Sequence, residues 1–162
     1  MLGSSPTPFN RRRDDLSQTL EFADHVRTAI DTHGWAVVSD TTPQGPVAYT
    51  VGRAAHGHPE FLIYGLRPAV AETVLNALTM RADTHGTPEA FSPVAGVLVG
   101  MDLMLVPVDD TRTHLPTANL FYALDAPVTG LQVVFPDHEG RWPWDAGSHL
   151  ADMPLLNVSA AR

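Results

Sequence analysis

The chain has 162 residues, 44% of them hydrophobic, which suits one globular core and excludes disorder of the whole polymer. All ten basic residues are arginine, and eighteen acidic residues leave a formal charge of −8, a balance that opposes binding to a phosphate backbone. With no cysteine, disulfides and thiolate metal sites are excluded, so any metal would need His, Asp or Glu.

Residues 1–13 lack periodicity and read as a mobile arm. Arg11-Arg12 is followed by Asp14 and Asp15 rather than by an apolar segment, so it is no twin-arginine export signal. A first helix is expected from Asp15, where Asp15 and Gln18 have capping-box spacing. Leu16, Leu20, Ala23, Val26 and Ile30 form its apolar stripe, and Gly34 can end it. Three strands follow at residues 35–39, 47–51 and 61–64, each rich in β-branched or aromatic residues and bounded by Gly or Pro. A second helix is expected from Pro68 to Ala82, with Val70, Val74, Leu75 and Leu78 on one face. Strands at 94–99 and 103–108, a short helix at 118–124 and a last strand at 131–135 complete the order. A turn-rich segment, Pro136–Asp145, reads as a β-hairpin clamped by aromatics.

Consecutive strands with short links predict an α+β fold: a mostly antiparallel sheet of five to six strands with two main helices on one face. Residues 14–150 would form the single domain and residues 151–162 a loose tail. No apolar run approaches the ~18 residues of a membrane helix, and a cytoplasmic setting is expected. The absence of lysine beside abundant Arg, Ala and Pro suggests a bacterial source. Neither a dinucleotide fingerprint nor a phosphate-cradling or nucleophile-elbow motif is present.

The segment richest in chemistry is His56-Gly57-His58-Pro59-Glu60. Pro59 holds His58 extended, and His58 with Glu60 can serve as an acid–base pair. His56, His58 and Glu60 together could hold a divalent metal, but no distant fourth ligand is apparent. A solvated loop with backbone-capping side chains explains the same residues. His33 sits where the dipole of the first helix would favour a charged imidazole, so either a ligand contact or a structural role fits it. Tyr49 can donate its phenol to a ligand or within the core. Phe135, Trp142 and Trp144 cluster aromatic surface beside Asp137, His138 and Glu139, as a small-ligand pocket does and as a clamped hairpin also would.

Taken in order, H-G-W at 33–35, Y-T-V-G at 49–52, H-P-E at 58–60, G-L at 65–66, L-N at 75–76 and Q-V-V-F-P-D…G-R-W-P-W at 132–144 form a recognisable series. The chain resembles the bacterial domain-of-unknown-function family numbered four-two-six-two over residues 16–145. The resemblance implies no settled activity, but it raises Tyr49, His58, Glu60 and Asp137 above their neighbours and leaves His56 outside the pattern. The expectation is one site for a small polar molecule: His58 and Glu60 for hydrolase- or isomerase-type proton transfer, Tyr49, His33 and Asp137 as polar contacts, and Trp142 as an apolar wall. No cofactor is expected. A non-catalytic module that binds a protein partner is the alternative.

Overall fold

The computed structural model describes residues 8–157. The runs of β-branched residues form six strands: β1 (Ala36–Thr42), β2 (Gly45–Val51), β3 (Glu60–Tyr64), β4 (Pro93–Leu98), β5 (Met101–Pro107) and β6 (Gly130–Val134). They make one sheet in the order β1-β2-β3-β6-β5-β4. Every neighbouring pair is antiparallel except β3 and β6, which run parallel with Glu60 opposite Gly130 and Ile63 opposite Val133. The long path between them includes a helix and a hairpin, which gives the chain room to return in the same direction. The α+β fold with a mostly antiparallel sheet is as expected.

The placement of the helices is not. Along β3 all five residues are buried, so the sheet has no wet face at its centre. Phe61, Ile63 and Ala48 point to one side, where Val74, Leu75 and Leu78 of α2 (Pro68–His85) cover them. Leu62, Tyr64, Val47 and Tyr49 point to the other, where Val26 of α1 (Pro8–His33) joins the core. Leu115 and Ala118, at the start of α4 (Pro116–Tyr122), cover that same side. The two main helices therefore lie on opposite faces, which corrects the single-layer expectation. Strands apolar on both faces require cover on both.

Both chain ends also depart from expectation. Residues 1–7 lie outside the described residues, and the chain is already helical at Pro8, the first described residue of α1. Asp15 therefore lies inside the helix, not at its cap. With 26 residues α1 is about 39 Å long, against about 23 Å for the seven-residue β1. Only the later part of its apolar stripe finds the core: Val26 is 2% exposed, whereas Leu16 and Leu20 are 65% and 66% exposed.

Past β5, Asp110 caps a single turn, α3 (Thr111–His114), by accepting the Thr113 N–H. Among the described residues no strand follows β6, so Pro136–Asp145 is a chain of turns and not a β-hairpin. The expected loose tail is anchored as far as residue 157. The buried side chain of Gln132 in β6 donates to the Pro154 carbonyl and accepts the Leu156 N–H, while the Asp109 N–H donates to the Leu156 carbonyl. Residues 158–162 lie outside the described residues.

Candidate functional site

The H-P-E segment enters β3 from a 3-10 turn (Arg53–His56) that follows β2. Glu60 is fully buried. One carboxylate oxygen accepts the Thr50 hydroxyl at 2.6 Å, and the other accepts the backbone N–H groups of Gly52 at 3.0 Å and Ala54 at 2.9 Å. Burial pushes the carboxyl up from its usual value, and these three hydrogen bonds with the nearby Arg53 charge only partly offset it. Arg53 is buried too: it donates to the Pro59 carbonyl, pairs with Asp83 and lies over the Phe61 ring.

Glu60 is thus a clamp on the turn that links β2 to β3. His56 and His58 are exposed beside it, and His58 is tied only through its backbone N–H, which donates to the Arg53 carbonyl. The carboxylate expected to orient His58, or to complete a metal site with His56 and His58, has both oxygens engaged elsewhere. That is a correction, and its cause is the two backbone N–H groups that the sharp exit from β2 leaves without sheet partners.

Tyr49 is buried on the α4 side of the sheet, where its phenol donates to the Thr117 hydroxyl at 2.9 Å and accepts the Thr117 N–H. Burial pushes its pKa up. Its polar handle is therefore spent inside the fold, at the start of α4. His33 is exposed at the end of α1, on the rim of a cavity of about 430 Å³ between α1, β1 and α2. Trp35 closes that cavity by donating its indole N–H to Asn76 of α2 at 2.8 Å.

At the far end of the sheet Asp137 organises the turns after β6. Its side chain accepts the backbone N–H groups of Glu139 (2.9 Å), Arg141 (2.9 Å) and His149 (3.0 Å), and it pairs with the Arg141 guanidinium at 3.3 Å. Burial would push the carboxyl up, but the hydrogen bonds from His149 and Arg141 outweigh it and hold the group below the usual carboxylate range. Three side chains converge on this frame. The rings of His138 and His149 stack with centroids 4.6 Å apart, and Nε2 of His149 lies 3.8 Å from a Glu139 carboxylate oxygen that also contacts Arg141. Trp142 and Trp144 stack nearby at 5.7 Å and nearly parallel. A cavity of about 670 Å³ opens between this loop and the β4–β5 turn, lined by Leu98, Met101, Asp102, Asp137, His138 and Trp142 among others.

The residues expected to share one site are therefore divided. His58 precedes β3 and Asp137 follows β6, and these strands are parallel and in register. The levels of Glu60 and Ile63 alone are about 10 Å apart at 3.3 Å per residue, and both groups lie beyond them. Asp137 and Trp142 stay together; His58, Glu60, Tyr49 and His33 do not join them. Among the described residues the grouping with metal-ligand spacing is His138, Glu139 and His149. His138 and Glu139 were visible beside the aromatics in sequence. His149 carried no signal, because only folding of the loop brings it back over ten residues.

Among the described residues no helix is long and apolar enough to cross a membrane. Neither a curated protein nor a solved structure matches the chain. A family model does match, over residues 29–149, and with it every motif from the Trp35 indole to the Asp137 loop: the chain belongs to the family described as Domain of unknown function (DUF4262).

Proposed function

We propose that this domain binds a small polar molecule in the cavity between the Asp137 loop and the β4–β5 turn. The observation that carries the reading is the make-up of that cavity: about 670 Å³, with Trp142, Leu98 and Met101 as apolar wall and His138 and Asp102 as polar groups, while Asp137 stands behind them with both oxygens taken by the loop. Small-ligand sites have this size, and they set a few polar groups against an apolar wall. Asp137 adds rigidity, since its carboxylate holds the backbone of the loop at three points.

Binding is favoured over acid–base catalysis by His58 and Glu60, because the Glu60 carboxylate is saturated by Thr50, Gly52 and Ala54. The test is a thermal-shift screen of small acids, sugars and nucleosides on wild type and on Trp142→Ala and Leu98→Trp variants. A hit lost in both variants supports the cavity. A hit that survives both removes it.

A second reading, a protein-interaction module, draws on α1, whose Leu16, Leu20 and Phe22 are 65%, 66% and 45% exposed. A Leu16→Glu, Leu20→Glu variant that captures the same partners from the native cell as wild type would end that reading.

A further inference from the structure

We infer that His138, Glu139 and His149 form a site for one divalent transition-metal ion of the zinc type. Each offers a ligand atom, and these atoms all lie within 4.8 Å of one another. Metal bonds of about 2.0–2.1 Å in a tetrahedral site set the ligand atoms about 3.4 Å apart, so the cluster must close by about 1.4 Å at most. All three side chains are exposed, and closing by that amount exchanges the Glu139–Arg141 contact and the ring stacking for bonds to the ion.

Their backbones are already fixed. One buried carboxylate, Asp137, accepts the N–H groups of both Glu139 and His149, two ligands ten residues apart in the chain. His138, between Asp137 and Glu139, has its ring 4.6 Å from that of His149, and the two rings must turn from stacking to aim their in-plane nitrogen lone pairs at one ion. Asp137 thus fixes the backbone from which two of the ligands project, through their main-chain N–H groups and not through their side chains.

The charges agree. Glu139 already has two cationic or potentially cationic partners, the Arg141 guanidinium and Nε2 of His149 at 3.8 Å. A divalent ion is a stronger partner for that oxygen, and Arg141 keeps its bond to Asp137 when Glu139 turns toward the ion. Two imidazoles and one carboxylate leave a fourth position open, the ligand count of zinc sites that bind water or a small anion. His138 also lines the cavity, so the ion would lie at the cavity rim. The inference uses the same loop as the proposed function but does not rest on it.

The test is competition of the untagged full chain, stripped by a chelator, with a chromophoric zinc indicator. One zinc ion per chain is expected. His138→Ala, Glu139→Gln and His149→Ala should each weaken binding by at least about tenfold, the smallest loss seen when even a supporting residue of a metal site is removed. The His56→Ala, His58→Ala double variant should bind as wild type. Co(II) in place of zinc should give the strong visible bands of a four-coordinate site, lost in His149→Ala. Substoichiometric zinc, or His149→Ala titrating like wild type, overturns the inference. Glu139 and His149 do not line the cavity, so zinc binding that persists in Trp142→Ala separates a failed ligand pocket from a failed metal site.

Discussion

Replacing Glu60 tests whether it is part of a reaction or part of the frame. In Glu60→Ala the Thr50 hydroxyl and the N–H groups of Gly52 and Ala54 lose their acceptor, the first two in a region closed to water and the third half-buried. Each buried donor left unpaired costs about 1–3 kcal/mol, so the two buried ones alone set a loss of at least about 2 kcal/mol. At about 2–4 °C per kcal/mol for a chain of this size, that floor alone lowers Tm by about 4–8 °C. Glu60→Gln is milder. Its carbonyl oxygen still accepts the two N–H groups, and its NH2 can turn to the Thr50 oxygen, which also accepts the Phe61 N–H. Only the Thr50 proton is orphaned, for about 1 kcal/mol and about 2–4 °C.

The pH dependence gives a second reading of the same residue. Burial raises the Glu60 pKa in the folded state, so the folded chain holds that proton more tightly than the unfolded chain. The contribution is full below the unfolded value of about 4.3 and is lost as pH rises through the folded one. Glutamine cannot titrate. The Tm advantage of wild type over Glu60→Gln should therefore be largest near pH 4 and shrink toward neutrality. Differential scanning calorimetry across that range is the assay, with exposed His58→Ala as a control expected to stay within about 0.5 kcal/mol of wild type. A Glu60→Ala variant that melts with wild type, or an advantage that grows with pH, refutes the clamp.

Three further substitutions probe the frame. Gly52→Ala would place a Cβ 2.7 Å from the Gly34 carbonyl oxygen and 3.0 Å from Trp35 Cα at a φ of +129°, and backbone cannot yield as a side chain can. Strain and overlap of about 1–3 kcal/mol each predict a variant that expresses poorly or loses at least about 5 °C in Tm. Trp35→Phe removes the indole N–H that Asn76 accepts, and urea unfolding should show a loss of about 1 kcal/mol. Asp137 has its pKa held below the usual range, so its stabilisation is full above about pH 3.9 and is lost as pH falls through the folded value. Tryptophan fluorescence from Trp142 and Trp144 should follow that acid step in wild type, and the step should be absent in Asp137→Asn.

The strands and helices were legible because their signals are local. Runs such as Val47–Val51 and Phe61–Tyr64, bounded by Gly and Pro, form strands within a residue or two of expectation. The layering was not, because burial of β3 on both faces depends on where α1 lands, and a stripe such as Leu16–Ile30 does not say which face it covers or how much of it is used. The candidate site failed for a related reason. The parallel pairing of β3 with β6 sends H-P-E and P-D to opposite ends of the sheet, and nothing local in either strand encodes that pairing. Asp137 and Trp142 survived as neighbours because they are only five positions apart in the chain.

The division of the site also changes what the shared motifs mean. Gly34 of H-G-W meets Gly52 of Y-T-V-G, Trp35 holds Asn76 of L-N, Glu60 of H-P-E holds Thr50 and Gly52, and Gly65 of G-L donates its N–H to the Pro46 carbonyl. Gln132 ties the chain end to β6, and Asp137 ties the loop that follows. Each motif closes a contact between distant segments, and the polar atoms involved are consumed in doing so. A residue whose hydrogen bonds are complete within the fold has little left to offer a ligand. Recognition must then fall to groups that the frame positions without using them. His138, His149 and Trp142 meet that condition on the Asp137 loop, and Glu139 is tied there by exposed ion pairs alone, whereas Glu60 and Tyr49, the most suggestive residues of the bare sequence, do not meet it.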